Sequence, residues 1–272
     1  MASNLVSITR RGFGQTMRKD NWWVAPALTF IGLGAFVLYS TWAAFQGNHY
    51  WVPGTGYLSP FYSPVLFDAP GMVSGHALLG AAPSWIPTWL PFSPALLILW
   101  APGGFRFTCY YYRGAYYKAM WADPIACAVG EPRKGYRGEN WFPLIIQNIH
   151  RYFLYIALIF LVFLAYDAYS AMWFQNADGT WKFGIGVGTL ILTANVICLG
   201  LYTTSCHSLR HLIGGVFDVL SNKPVRKKAY DCVSKLNVRH MLFAWISLFV
   251  VGFSDIYVRL VSMGVWTDYR IL

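Results

Sequence analysis

Long apolar runs, parted by short polar or basic stretches, are the main pattern along the chain. Five runs stand out, at about 24–46, 94–118, 148–173, 184–212 and 239–264. Each is near or above the roughly 20 residues that an α-helix needs to cross a hydrocarbon core. Lipid offers no hydrogen bonds, so backbone groups there must be satisfied internally, and at this hydropathy only helices do so. The pattern predicts an all-α integral membrane protein, a five-transmembrane-helix bundle forming one membrane domain over residues 1–272. The segment Ala101-Pro-Gly-Gly104 should kink or loosen the second span within the membrane.

Composition agrees. The chain is 56% hydrophobic and 18% aromatic, with 12% charged residues, against about a quarter in soluble domains. The loop 47–93 is rich in Pro, Gly, Trp and Tyr and lacks Lys and Arg. It reads as an aromatic lid on the outer surface, with His49 and His76 as ordinary loop residues.

The net charge of +10 matters through its placement. Arg10, Arg11, Arg18 and Lys19 form a basic tail, read here as cytoplasmic rather than as a cleavable or twin-arginine signal. With the clusters at 106–137 and 210–239 and Arg151, 18 of the 21 basic residues fall on the side of the N-terminus. The positive-inside rule then predicts an N-terminus in the cytoplasm and a C-terminus outside. The tail and the loops 119–147 and 213–236 make an inner docking surface, bordered by lipid headgroups rather than nucleic acid. Cys109, Cys127, Cys206 and Cys232 map to the inner half and Cys198 to span four, so they are free thiols or ligands rather than disulfides.

Four soft ligand candidates fall toward that inner side on four different spans. Cys109 lies about ten residues before the inner end of span two and Cys206 about two turns before the end of span four. His150 and His240 open spans three and five. At 1.5 Å per residue, all four fit within roughly 15 Å of depth. Two thiols and two imidazoles are the donors of a Rieske-type 2Fe–2S cluster, although paired Cys-x-His loops are missing. Three readings stay open at this point. The four residues could be packing, since Cys is a common small hydrophobe. They could hold a cluster. Or a haem b could use two histidines on facing helices, His150 with His207, His211 or His240. His207 and His211 share a helix face at i, i+4, and His207 is about 100° from Cys206.

The segments Phe107-Thr-Cys-Tyr-Tyr-Tyr-Arg-Gly-Ala-Tyr-Tyr-Lys118, Gln147-Asn-Ile-His-Arg-Tyr-Phe153, Thr204-Ser-Cys-His-Ser-Leu-Arg-His211 and Asn237-Val-Arg-His240 resemble the membrane anchor of succinate dehydrogenases and fumarate reductases. The chain looks most like the single-chain, haem-free actinobacterial type. That resemblance implies a multi-pass subunit of the bacterial cell membrane, docked to flavoprotein and iron–sulfur subunits on its cytoplasmic face. It also implies a very small extra transmembrane subunit, a higher oligomer of the complex, and electron delivery to quinone, specifically menaquinone. The embedded 2Fe–2S centre would take Cys109, His150, Cys206 and His240 as ligands.

A quinone site needs an apolar slot, donors for its carbonyls and a proton source. The inner rim supplies Arg106, Tyr110, Arg113, Tyr117, Trp121, Arg151, Tyr152 and Arg210, which equally suit an interfacial aromatic and basic belt. Asp167 and Asp255 are the acids well inside spans, both toward the outer half. They suggest a proton route or second quinone position there, or a helix-end ion pair of Asp255 with Arg259. A transporter should show corresponding broken helices in two repeats, and only span two is broken; a purely structural anchor needs no converging Cys and His.

Overall fold

The computed structural model describes residues 12–84, 86, 92–133, 135, 140–142, 144–215 and 217–272. Arg10 and Arg11 of the basic tail, and Lys134 and Arg137 of the first inner loop, lie outside the described residues. In chain order the helices are α1 (Val24–Gln46), α2 (Pro94–Ile98), α3 (Trp100–Thr108), α4 (Tyr110–Ala119), α5 (His150–Ser170), α6 (Val187–Thr204), α7 (His207–Gly214), α8 (Pro224–Asn237) and α9 (His240–Ser262). A 3₁₀ turn over Leu144–Ile149 leads into α5. Between α5 and α6, β1 (Trp173–Gln175) pairs antiparallel with β2 (Trp181–Phe183), a hairpin that apolar patterning did not predict.

Among the described residues, four helical segments are long and apolar enough to cross a membrane: Val24–Gln46, Leu144–Ser170, Val187–Thr204 and His240–Ser262. The remaining expected span, 94–118, is present as α2, α3 and α4 in succession rather than as one rod. Pro102 explains the first interruption. It has no N–H to give the carbonyl of Ile98, so the ladder slackens at Leu99 and resumes in α3, whose first turn tolerates a proline. The second interruption is Cys109. The expected span 184–212 is likewise divided, at Ser205 and Cys206 between α6 and α7. Here Thr204 and Ser205 return their hydroxyls to the carbonyls of Gly200 and Tyr202, at 2.7 and 3.0 Å, a local competition that loosens helix ends.

The chain forms two compact units, Met1–Ala35 with Phe107–Asn148, and Phe36–Arg106 with Ile149–Leu272. In the first, the Gly14 amide donates to the Gly130 carbonyl and the Gly130 amide to the Gln15 carbonyl, each at 2.9 Å, and the Arg18 guanidinium reaches the carbonyl of Cys127 at 3.1 Å. In the second, α6 packs between α5 and α9.

The loop 47–93 is more than a lid. Tyr50, Tyr57 and Tyr62 are fully buried, and Tyr50 and Tyr62 stack with ring centroids 4.4 Å apart. Burial pushes the Tyr50 phenol up to about 12, and it raises that of Tyr57 as well. Ser59 donates to the carboxylate of Asp255, and Ser63 to that of Asp167. Asp255 also accepts from the Tyr39 hydroxyl at 2.5 Å and pairs with Arg259 at 3.3 Å. Arg259 in turn donates to the carbonyls of Asn48 at 3.1 Å and Ala43 at 3.4 Å. At the chain's end, Asp268 accepts from Tyr57 at 2.8 Å, Tyr257 at 2.6 Å and the Gly188 amide at 2.9 Å, which ties the last residues to the start of α6.

Two outcomes follow from this packing. A methyl group at Gly56 would fall on the carbonyl of Ser170, a backbone atom that cannot swing away. Gly56→Ala should therefore destabilise the protein by about 1 to 3 kcal/mol, seen as a lower thermal midpoint. Arg259→Met, which leaves Asp255 buried without its cation, should destabilise by about 3 to 5 kcal/mol in the same assay. The double variant Asp255→Asn with Arg259→Met should recover most of that loss.

Candidate functional site

In the second unit, three of the four ligand candidates come to the same end of the helices. His150 is the first residue of α5, His240 the first of α9, and Cys206 lies in the break after α6. The Nε2 of His150 is 3.1 Å from the Sγ of Cys206. The Nδ1 of His240 is 2.7 Å from the hydroxyl of Ser205, the residue before that cysteine. The Asn237 side chain donates to the Ser205 carbonyl at 2.7 Å, so the start of α9 and the break are fastened together twice.

Aromatic rings box in the two imidazoles. Phe105 stacks on His150, with centroids 4.7 Å apart and planes 9° from parallel, and Tyr202 stacks on His240 at 5.2 Å and 18°. The two rings meet each other edge to face at 5.4 Å. Phe105, Tyr202 and Cys206 are 3%, 1% and 2% exposed, so water reaches this array poorly.

The two cysteines have the same backbone geometry. Cys109 sits at φ −63°, ψ 127°, and Cys206 at φ −64°, ψ 138°. Each is a single extended residue interrupting a helix, each follows a hydroxyl residue, and each is the N-cap of the helix that follows. The partial positive charge at a helix N-terminus is where an anionic ligand is best placed. Cys109 belongs to the first compact unit, where its carbonyl accepts from the Arg113 amide at 2.9 Å.

Among the described residues, no three His, Cys, Asp or Glu side chains converge on one point as a single metal ion would require. A two-iron cluster does not demand that convergence, because its Cys and His pairs bind different irons. The donors present, buried sulfur and imidazole nitrogen, are of the type such a cluster takes. His207 and His211 are exposed, and their rings pair at 4.9 Å on one face of α7, as the i, i+4 spacing predicts.

The residues expected to bind quinone are distributed more widely. Arg106, costly in an apolar segment unless partnered, reaches α9: it donates to the Ala244 carbonyl at 3.3 Å and the Ser247 hydroxyl at 3.1 Å, and lies 4.7 Å over the Tyr202 ring. It also lines an apolar cavity of about 180 Å³ with Phe36, Phe61, Phe105, Leu164 and Tyr202. In the first unit, Arg113 lies 5.1 Å over the Tyr110 ring and Tyr117 meets Trp121 edge to face at 5.5 Å. Tyr110 is 74% exposed; with Trp22, Pro26, Tyr111 and Lys118 it lines a cavity of about 550 Å³. Arg151 and Tyr152 are exposed on α5. Arg210 turns to α8, bonding Ser234 at 3.0 Å and covering Tyr230 at 4.8 Å.

Asp167 lies in the wall of a cavity of about 660 Å³ at the loop end of the second unit, with Ser63, His76, Trp51, Trp173 and Trp181. Burial holds the His76 imidazole below its ordinary range, partly offset by Asp68. Asp255 has Arg259, Ser59 and Tyr39 as partners, the ion pair expected from its i, i+4 spacing.

Phe105, Tyr202, Ser205 and Asn237 were not singled out from the sequence. Ser205 and Asn237 stand inside the segments that carry the resemblance, one residue before Cys206 and three before His240, and adjacency was the available signal. The stacking of Phe105 on His150 and of Tyr202 on His240 had none, because each joins residues about 40 positions apart on different helices.

Over residues 24–264 the chain matches the family described as actinobacterial succinate dehydrogenase subunit SdhC. A chain of the Mycobacterium smegmatis Sdh1 complex in the apo form is 45% identical to it, with a TM-score of 0.85 and coverage of 100% of both chains. No curated protein sequence matches. The chain therefore belongs to the actinobacterial SdhC family and is a membrane subunit of succinate dehydrogenase, without succinate chemistry of its own.

Proposed function

We propose that this subunit passes electrons from a docked iron–sulfur partner to a quinone, by way of a membrane-embedded 2Fe–2S cluster. The observation that carries the reading is the meeting of His150 Nε2 with Cys206 Sγ at 3.1 Å, with His240 fastened beside that cysteine through Ser205. His150, Cys206 and His240 are the residues that would hold the cluster. Cys109 is the fourth ligand that the family resemblance implies, and its helix break matches that of Cys206. Such a cluster, when bound, supplies one-electron transfer at a potential set by its ligands and their hydrogen bonds.

The chain's own residues do the rest. Phe105 and Tyr202 keep water from the imidazoles, and a dry site preserves the electrostatic effect of each hydrogen bond. The quinone headgroup would use the apolar cavity beside the stack, with Arg106 as its charged wall. Reduction to quinol takes two electrons and two protons, and Asp167, facing the large cavity at the loop end, is the proposed proton relay there. The alternative, a haem b, would take His150 with His207, His211 or His240; the Cys206 thiol against His150 favours the mixed sulfur and nitrogen donor set of a cluster.

The remaining expectations join this reading. The membrane is the bacterial cell membrane, crossed five times when the interrupted α2–α4 segment is counted, with the N-terminus inside. Arg226, Lys227, Lys228 and Lys235 stand exposed on α8, a basic surface suited to anionic headgroups and to the flavoprotein and iron–sulfur subunits of the complex. Menaquinone as the acceptor, the small extra transmembrane subunit and the higher oligomer follow from the family resemblance.

Two experiments test these assignments. The purified, dithionite-reduced complex should show a Rieske-type EPR signal and no haem α-band. Cys206→Ser or His240→Ala should abolish that signal while leaving the flavin and the partner's clusters intact. A haem band lost in the histidine variant would replace the cluster with a cytochrome. Asp167→Asn should lower succinate:quinone turnover by about 10²-fold, the lower range for removing a proton-transfer group; unchanged turnover would discard the relay.

A further inference from the structure

Ser205 has two side-chain contacts: the Tyr202 carbonyl at 3.0 Å and His240 Nδ1 at 2.7 Å. A serine hydroxyl has one hydrogen to give and lone pairs to receive. The carbonyl oxygen of Tyr202 can only accept, whereas His240 Nδ1 donates or accepts according to its tautomer. One arrangement makes both contacts hydrogen bonds at once: the hydroxyl donates to the carbonyl and accepts from an Nδ1–H of His240. In that arrangement the lone pair of the neutral ring is on Nε2.

We propose that Ser205 is a positioning residue that locks His240 in the Nδ1–H tautomer and so presents Nε2 as the ligating atom. The inference rests on the cluster reading above and adds to it a residue, a tautomer and an atom. The geometry is held from three sides. The Ser205 amide pairs with the Leu201 carbonyl at 3.0 Å, its own carbonyl receives Asn237 at 2.7 Å, and Tyr202 lies flat against the His240 ring. Ser205 is fully buried, so water does not compete for the hydroxyl. A hydrogen bond accepted from the far ring nitrogen also pushes electron density toward the ligating one, which favours the oxidised metal. Ser205 would thus set the cluster's potential as well as its orientation.

The test uses the purified holo-complex, with Ser205→Ala and Ser205→Thr compared with the wild type. EPR-monitored redox titration gives the midpoint of the membrane cluster, and histidine labelled with ¹⁵N gives the nitrogen hyperfine couplings. Ser205→Ala should raise the midpoint and change the coupling of one histidine nitrogen, or lose the cluster; Ser205→Thr, which keeps the hydroxyl, should restore wild-type values. An unchanged midpoint and coupling in Ser205→Ala would overturn the inference, as would Ser205→Thr behaving like the alanine variant. A wild-type complex with no Rieske-type signal would instead remove the cluster reading, and this inference with it.

Discussion

A polar group placed in the hydrocarbon layer has no water to turn to, and the internal bonds of this protein are arranged around that constraint. Arg106 crosses to the Ala244 carbonyl and Ser247 on α9. Asp167 takes the hydroxyl of Ser63, and Asp255 takes Arg259, Ser59 and Tyr39. Each solution joins segments far apart in the chain. The polar residues are therefore what make an apolar bundle specific, since lipid tails are as apolar as leucine and give helices no hydrophobic reason to choose one neighbour over another.

The same constraint bears on the helix breaks. An extended residue within a span frees backbone groups that need partners, and such breaks persist in membranes only where protein or a cavity receives them. At Cys206 the break is held by Asn237 on the Ser205 carbonyl and by Ser205 on His240. A continuous helix would have left that cysteine packed like any small hydrophobe. The interruption places the sulfur at a helix N-terminus and against an imidazole, with aromatic rings excluding water.

Much of the architecture was legible in the amino-acid pattern. The first run was read to the residue, Val24–Gln46, and His150 and His240 were placed in the first turns of their spans. Apolar length is a strong local signal, and helix starts after polar stretches are sharp. The divided spans were less legible. Pro102 announced a loosening, but Cys109 and Cys206 carry no breaker signal, and the back-bonding of Thr204 and Ser205 is a weak local preference that neighbours decide. The loop 47–93 was read as a cover. Its role as partner to Asp167, Asp255 and Arg259 depended on contacts between residues 104 to 211 positions apart, which no local pattern encodes.

Hydropathy was thus enough to determine a helical membrane protein, and the spacing of cysteine and histidine was enough to mark ligand candidates near the ends of its spans, because hydropathy and residue chemistry are properties of the chain itself. Which atoms meet was decided by tertiary structure alone. His150 finds Cys206, His240 finds Ser205, and Phe105 and Tyr202 close over both, because packing α5, α6 and α9 side by side brings their ends together. A hydrogen bond is specific to within a few tenths of an ångström. Sequence spacing places a residue only to within a helical turn.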